Sequence, residues 1–247
     1  MELAIDTSSD TAGIALSRQG EILASVTWRT AQNHTVELLP NLVCLLQRIG
    51  VELDSAEAII VAKGPGSFNG LRVGVSTAKG LASALNIRFL GVSTFEAEAY
   101  PFAFTGLAIR PIHRAGREEI ATALYRQEDA DWRCLEAENL TTVTAVCRRI
   151  RQKTILCGEI PSDIMSEIRH NVGGRVIVSQ DGSQSRAASL AIVGWRRLSR
   201  GEQDDPANLQ PLYLRPPHIT TARARTPQIV TLRKAKEPSN ASPQSGS

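Results

Sequence analysis

Histidine is scarce in this sequence, and the scarcity limits its chemistry. Of 247 residues four are histidine (His34, His113, His170, His218), all far apart. No i,i+4 pair can present two imidazoles from one helix, so metal catalysis is poorly supplied and no metal ligand is assigned. His34, beside Asn33 at the start of a predicted helix, reads as a capping or surface residue. Cys44, Cys134, Cys147 and Cys157 form no CxxC pair, and a chain of this size needs no disulfide scaffold, so buried or incidental thiols are expected. A GxSxG-type nucleophile signature is missing. No apolar run approaches the ~20 residues that a membrane-spanning helix requires, and the first residues, with acidic Glu2 and no basic stretch, do not read as a signal peptide. A cytoplasmic protein without membrane contact is expected. A basic body is missing too. The formal charge is +3, but residues 223–247 hold five bases and one acid, which leaves about −1 on the rest. The pI therefore says little about nucleic acid.

What the chain does contain is organised around residues 58–85, AIIVAKGPGSFNGLRVGVSTAKGLASAL. A β-branched run stops at a turn holding Gly64, Pro65, Gly66 and Gly70, and helical spacing follows at once. Before it, segments 3–6, 11–17 and 22–28 read as three strands joined by tight turns, followed by a helix over 33–49 with Asn33 or Thr35 as cap and a local distortion at Pro40. One apolar stripe of that helix uses Leu39, Leu42, Leu46 and Ile49, while Leu38 and Leu45 widen the face. Such a helix is covered either inside its own domain or by a second protein. The helix over 71–85 buries Leu71, Val75, Ala78, Ala82 and Leu85, and carries a neighbouring face of mostly small residues, Val73, Thr77, Gly80 and Ala84, which lets another helix approach closely. A strand over 88–93 leads to a helix from Thr94, with Ser93 and Glu96 spaced as a capping box.

Strand, strand, strand, helix, strand, helix, strand, helix is the order of a ribonuclease H-like half-domain. Beyond Tyr100 it repeats only loosely: strands near 106–112, 120–126, 133–138, 154–157 and 175–178, helices near 142–151 and 160–169, and an amphipathic helix over 185–199 with Leu190, Val193 and Leu198 inward. Apolar periodicity ends near Thr220, and the Pro- and Ser-rich end is expected to be disordered.

Two sites merit testing. The glycine turn fits neither a Walker A loop, since Leu71 and Arg72 follow Gly70, nor GxGxxG, since its spacing is GxGxxxG. Its N–H groups can hold an anion, or the glycines can simply make a tight crossover. Asp6, Thr7 and Ser8 can serve a nucleotide phosphate or its magnesium, or can equally be hairpin chemistry.

AIDTSSDTAGIAL, NHTVELLP, GPGSFNGLRVGVSTAKGLA and PLYLRP together resemble the TsaB (YeaZ) family. The resemblance is strong over residues 1–100 and thin over 101–220. The specific motif is Gly64, Pro65, Gly66, Ser67, Phe68, Gly70, Leu71, Arg72 and Gly74, with Asn69 where the family usually has threonine. The resemblance implies an α/β fold of two ribonuclease H-like, actin-like ATPase (ASKHA) subdomains, with mixed sheets flanked by helices: 1–101, a smaller degenerate 102–220, and a tail at 221–247. It implies a non-catalytic subunit that binds and activates TsaD, in a larger complex with TsaE, in making N6-threonylcarbamoyladenosine on tRNAs that read codons starting with A. The subunit would touch tRNA only indirectly and pair with itself when alone. It would have no cofactor of its own, ATP and magnesium entering only within the TsaD complex. The implied partner surface is Leu38, Leu42, Leu45, Val73, Thr77, Gly80 and Ala84; Asp6, Thr7, Ser8, Gly64 and Gly66 would be vestigial nucleotide-binding residues. Where TsaD has its histidine pair this chain reads Val92 to Glu98, and where the family commonly has an aspartate opening the second subdomain it has His113. The alternative is an ATP-binding phosphotransferase or ATPase of the actin-like fold, using Asp6 and the glycine turn.

Overall fold

The computed structural model describes residues 1–30, 33–129, 131–179 and 185–215; the expected disordered tail at 221–247 lies outside the described residues. The chain begins with β1 (Glu2–Asp6), β2 (Thr11–Arg18) and β3 (Glu21–Arg29), an antiparallel meander. Helix α1 (His34–Ile49) leads to β4 (Ala58–Gly64), and α2 (Phe68–Leu85) leads to β5 (Arg88–Ser93), both strands joining parallel to the sheet. The strand order is β3-β2-β1-β4-β5. β1 is buried along its whole length and β4 nearly so, the pattern of strands covered on both faces. Edge strand β3 instead alternates exposed and half-buried positions.

Short helix α3 (Thr94–Ala99) and a 3-10 segment lead into β6 (Ala108–Arg114), β7 (Glu119–Glu128) and β8 (Asp131–Thr142), then α4 (Val143–Arg149), β9 (Thr154–Cys157), α5 (Ser162–Val172), β10 (Val176–Val178) and α6 (Arg186–Leu198). The second sheet runs β10-β9-β6-β7-β8. Read from its far edge, that is the first sheet's order repeated, with the same parallel and antiparallel partners. The repeat is closer than the loose one expected from sequence, because strand order survives even where apolar periodicity is weak.

Side chains on alternate sides of the first sheet build two cores. Leu3, Ile5, Ile59 and Val61 meet α1 and α2 on one face; Ala4, Ala58, Ile60 and Val92 meet α3 and α6 on the other. Helix α6, expected with the second lobe from its place in sequence, thus packs on the first sheet, with Leu190, Val193 and Leu198 buried there. Helix α3 serves both halves: Ala97 packs in the first core, whereas Phe95 packs against Ile109, Ala123 and Tyr125 of the second sheet. The outer face of the second sheet is covered by α4 and α5.

One helix is rotated relative to the sequence expectation. Leu38, Leu42, Leu45 and Leu46 point into the chain's own core, while Val36, Leu39 and Val43 are exposed. Leu38, Leu42 and Leu45 are therefore not an outer face. With apolar residues on both sides of α1, periodicity left its rotation open, and the contact with β3 and α2 decides it. Each leucine so buried contributes about 2 kcal/mol. Pro40 sits inside the helix without ending it. Ser93 stands at the N-cap of α3 but makes no side-chain capping bond, so the expected capping box is not formed.

Candidate functional site

The glycine turn is held against the β1–β2 turn. The backbone N–H of Ser67 donates to the Ser8 carbonyl at 2.7 Å, and the Thr7 hydroxyl donates to the Gly70 carbonyl at 2.7 Å. Ser67 caps α2, its hydroxyl accepting from the Gly70 N–H. The close approach explains the residue type: a Cβ at Gly66 would lie 2.3 Å from the Ser8 oxygen, and one at Gly70 2.1 Å from the Thr7 oxygen. Gly64 has φ +112° and faces the Leu212 carbonyl, a backbone that only glycine adopts without strain. Leu212 donates its N–H to the Lys63 carbonyl at 2.6 Å, and the Tyr213 ring lies 4.9 Å from that of Phe68. His34, expected as a cap or surface residue, is instead buried, its Nε2 3.0 Å from the Ser9 carbonyl. The structure thus brings Thr7 and Ser8 against Gly66, Gly70 and Gly74, with Asp6 bonded to Ser8, whereas Gly64 is held against Leu212. Two N–H groups of the turn already have partners within the chain.

Beside this contact lies a cavity of about 290 Å³, lined by Asp6, Thr11, Glu98, Cys157, Glu159 and Arg186 among others. Its charges are arranged around Arg186, the first residue of α6. Nε donates to Asp6 Oδ2 at 2.7 Å; one terminal nitrogen reaches Glu98 Oε1 at 3.3 Å and Glu159 Oε1 at 3.5 Å; the other reaches Ser9 Oγ at 2.6 Å and the Thr11 carbonyl at 2.9 Å. The other Asp6 oxygen accepts from the Ser8 N–H and hydroxyl. Burial alone would raise the pKa of Asp6, but the Arg186 charge and these hydrogen bonds outweigh it and hold the carboxyl below its usual range. Glu98 also meets His113 Nε2 at 2.9 Å. Burial opposes a charge on His113, yet the Glu98 carboxylate prevails and raises its pKa above 6.5. Among the described residues no group of three or more His, Cys, Asp or Glu side chains could hold a metal ion.

The third place of interest is the outer surface of α1 and α2. Val36 is 67% exposed, Leu39 48% and Val43 51%. On α2, Gly80 and Ala84 are exposed and Val73 and Thr77 half-buried, so the small-residue face expected from sequence lies at the surface. No helix among the described residues is long and apolar enough to cross a membrane.

Comparison with known proteins places these features in a family. The family model "TsaD: tRNA N6-adenosine threonylcarbamoyltransferase" matches residues 21–224. The chain is 41% identical over 128 residues, 51% of its length and 56% of the relative's, to the tRNA threonylcarbamoyladenosine biosynthesis protein TsaB of Bacillus subtilis. It is 31% identical over 153 residues to TsaB of Escherichia coli, covering 61% of this chain and 66% of that one. The chain belongs to the TsaB (YeaZ) branch of this family. It spans only about half to two thirds of the length of those two relatives. YeaZ from Pseudomonas aeruginosa shares the fold, with a TM-score of 0.70 at 24% identity over 86% of this chain and 99% of that one. A ROK hexokinase from Thermus thermophilus shares it more distantly, at 0.51 and 9% over 81% and 99%.

Arg186, Glu98, Glu159 and His113 were not singled out together by the sequence. One signal was there: a cation in the first turn of a helix opposes the helix dipole, and Arg186 directly follows the N-cap Ser185. Such an arginine calls for acidic neighbours, but only the fold shows which ones.

Proposed function

We propose that this protein is a non-catalytic partner subunit in tRNA threonylcarbamoyladenosine biosynthesis, binding and activating a TsaD protein through the outer surface of α1 and α2. The observation that carries the reading is the exposed apolar row Val36, Leu39 and Val43. Three large apolar side chains on one exposed helix face lose hydration when a partner covers them, and the small residues Gly80 and Ala84 let a partner helix come close. The relatives' names supply the pathway, and the resemblance supplies TsaD as partner, with TsaE in a larger complex. The same surface pairs two copies of this chain when TsaD is absent, as an isologous interface. Threonylcarbamoyl transfer to tRNA, ATP and magnesium belong to the complex in this reading, and tRNA contact by this subunit is indirect.

The test is co-purification with TsaD. Val43→Asp and Ala84→Asp place charge on the outer surface, so their circular dichroism and melting should match the parent while the complex is lost. Leu45→Asp is no test of the surface, because it puts a charge into the core and unfolds the chain. Folded Val43→Asp and Ala84→Asp variants that still co-purify with TsaD at parental yield would overturn the assignment.

A further inference from the structure

The cleft beside the glycine turn is lined by charges that satisfy one another. A guanidinium has five N–H donors. Arg186 has five acceptors: Asp6, Glu98, Glu159, the Ser9 hydroxyl and the Thr11 carbonyl. No donor is left for a ligand. Three carboxylates surround one guanidinium, so the lining is anionic on balance even with Arg186 in place. The contacts also have a direction. They run from Asp6 on β1, the central strand of the first sheet, through Arg186 on α6 and Glu98 on α3, to His113 on β6, the central strand of the second. Glu159, in the loop after β9, adds a second tie to that half.

We propose that Arg186 is a built-in counter-ion latch: it joins the two sheets across the cleft, its donors all taken, while the carboxylates it holds turn phosphate-bearing ligands away. Breaking a buried ion pair by removing one partner leaves the other charge buried and uncompensated. Here one removal would strand the buried carboxylates of Asp6 and Glu98, with exposed Glu159 at the rim, a lining that repels polyphosphate as well as itself. The vacated space fits a planar cation with the donors Arg186 had, that is, a free guanidinium ion. This inference is independent of the partner surface on α1 and α2, which lies on the opposite face of the first sheet from α6.

Arg186→Met tests it in the full chain, since methionine keeps much of the stem without the charge. The melting midpoint should fall by about 10 °C, and millimolar guanidinium chloride should recover part of that loss where equal sodium chloride does not, as a ligand bound only by the folded state does. The triple variant Asp6→Asn, Glu98→Gln, Arg186→Met should be more stable than Arg186→Met alone, because its carboxylates no longer repel. Should Arg186→Met fail to fold, Arg186→Lys takes its place: a charge with fewer donors should give a smaller fall with no guanidinium rescue. Calorimetry with ATP and magnesium should show no binding to the parent chain. ATP binding by the parent, or an Arg186→Met midpoint equal to the parent's, would refute the latch.

Discussion

Two members of the charge cluster titrate in opposite directions, which makes them separable by pH. His113 has its pKa raised above 6.5: burial works against its charge, and the Glu98 carboxylate more than offsets that. A group whose pKa is higher when folded adds stability fully below its unfolded value, about 6.5, and that stability is lost as pH rises through the folded value. Asp6 is the reverse case. Burial would raise its pKa, but Arg186 and Ser8 lower it below 3.8, so its contribution is present above that value and lost as pH falls through the folded one. Urea denaturation across pH should therefore show the stability gap between parent and His113→Gln widest below about pH 6.5 and closing above it. The gap between parent and Asp6→Asn should be wide at neutral pH and close toward acid. Two gaps moving in the same direction with pH would contradict this assignment of charges.

At the scale of elements, the N-terminal end of α2 is a close backbone contact, and its glycines are explained by what they touch. A methyl group at Gly74 would lie 2.2 Å from the Thr7 hydroxyl oxygen, whereas at Gly80, further along the helix, it would meet nothing within 4 Å. Gly74→Ala should cost about 3 kcal/mol by overpacking, while Gly80→Ala should stabilise by about 0.5–1 kcal/mol through helix propensity and a less flexible unfolded chain. Equal effects at both positions in denaturant melts would show that α2 does not approach β1–β2 this closely. The sequence made the turn and helix legible because glycine spacing and apolar periodicity are local signals. The meander before it was legible for the same reason, as was the buried side of α6. The rotation of α1 was not, because Leu38, Leu42 and Leu45 compete with Val36, Leu39 and Val43 for one sheet face. The cleft was least legible of all. Asp6 and Arg186 are 180 positions apart, and no local pattern pairs charges over that distance.

For the molecule as a whole, the two sheets repeat one topology but do not divide the chain into two consecutive pieces. Helix α6 follows the second sheet in sequence, yet it buries Ala4, Ala15, Ile60 and Leu90 of the first. The segment after it continues across the same sheet: Asp204 accepts from the Gly91 N–H at 2.8 Å, and Leu209 packs in the core beneath α1 and α2. A fragment of residues 1–107 would therefore have every strand of the first sheet and still leave one face covered by short α3 alone. It should be aggregated or molten, with exposed apolar surface and no cooperative melt. Joining residues 1–107 to 185–215 through a flexible glycine-serine linker restores the covering helix and the crossing segment, and this fusion should melt cooperatively, below the parent because Phe95 and Glu98 of α3 lack their second-sheet partners. Dye binding and thermal melts of the fragment and the fusion decide the matter. A folded, cooperatively melting 1–107 fragment would mean that α6 is an accessory to the first sheet. An aggregated fragment beside a folded fusion would mean that the first half is completed only after the second has been made, so that during synthesis the first sheet waits for α6.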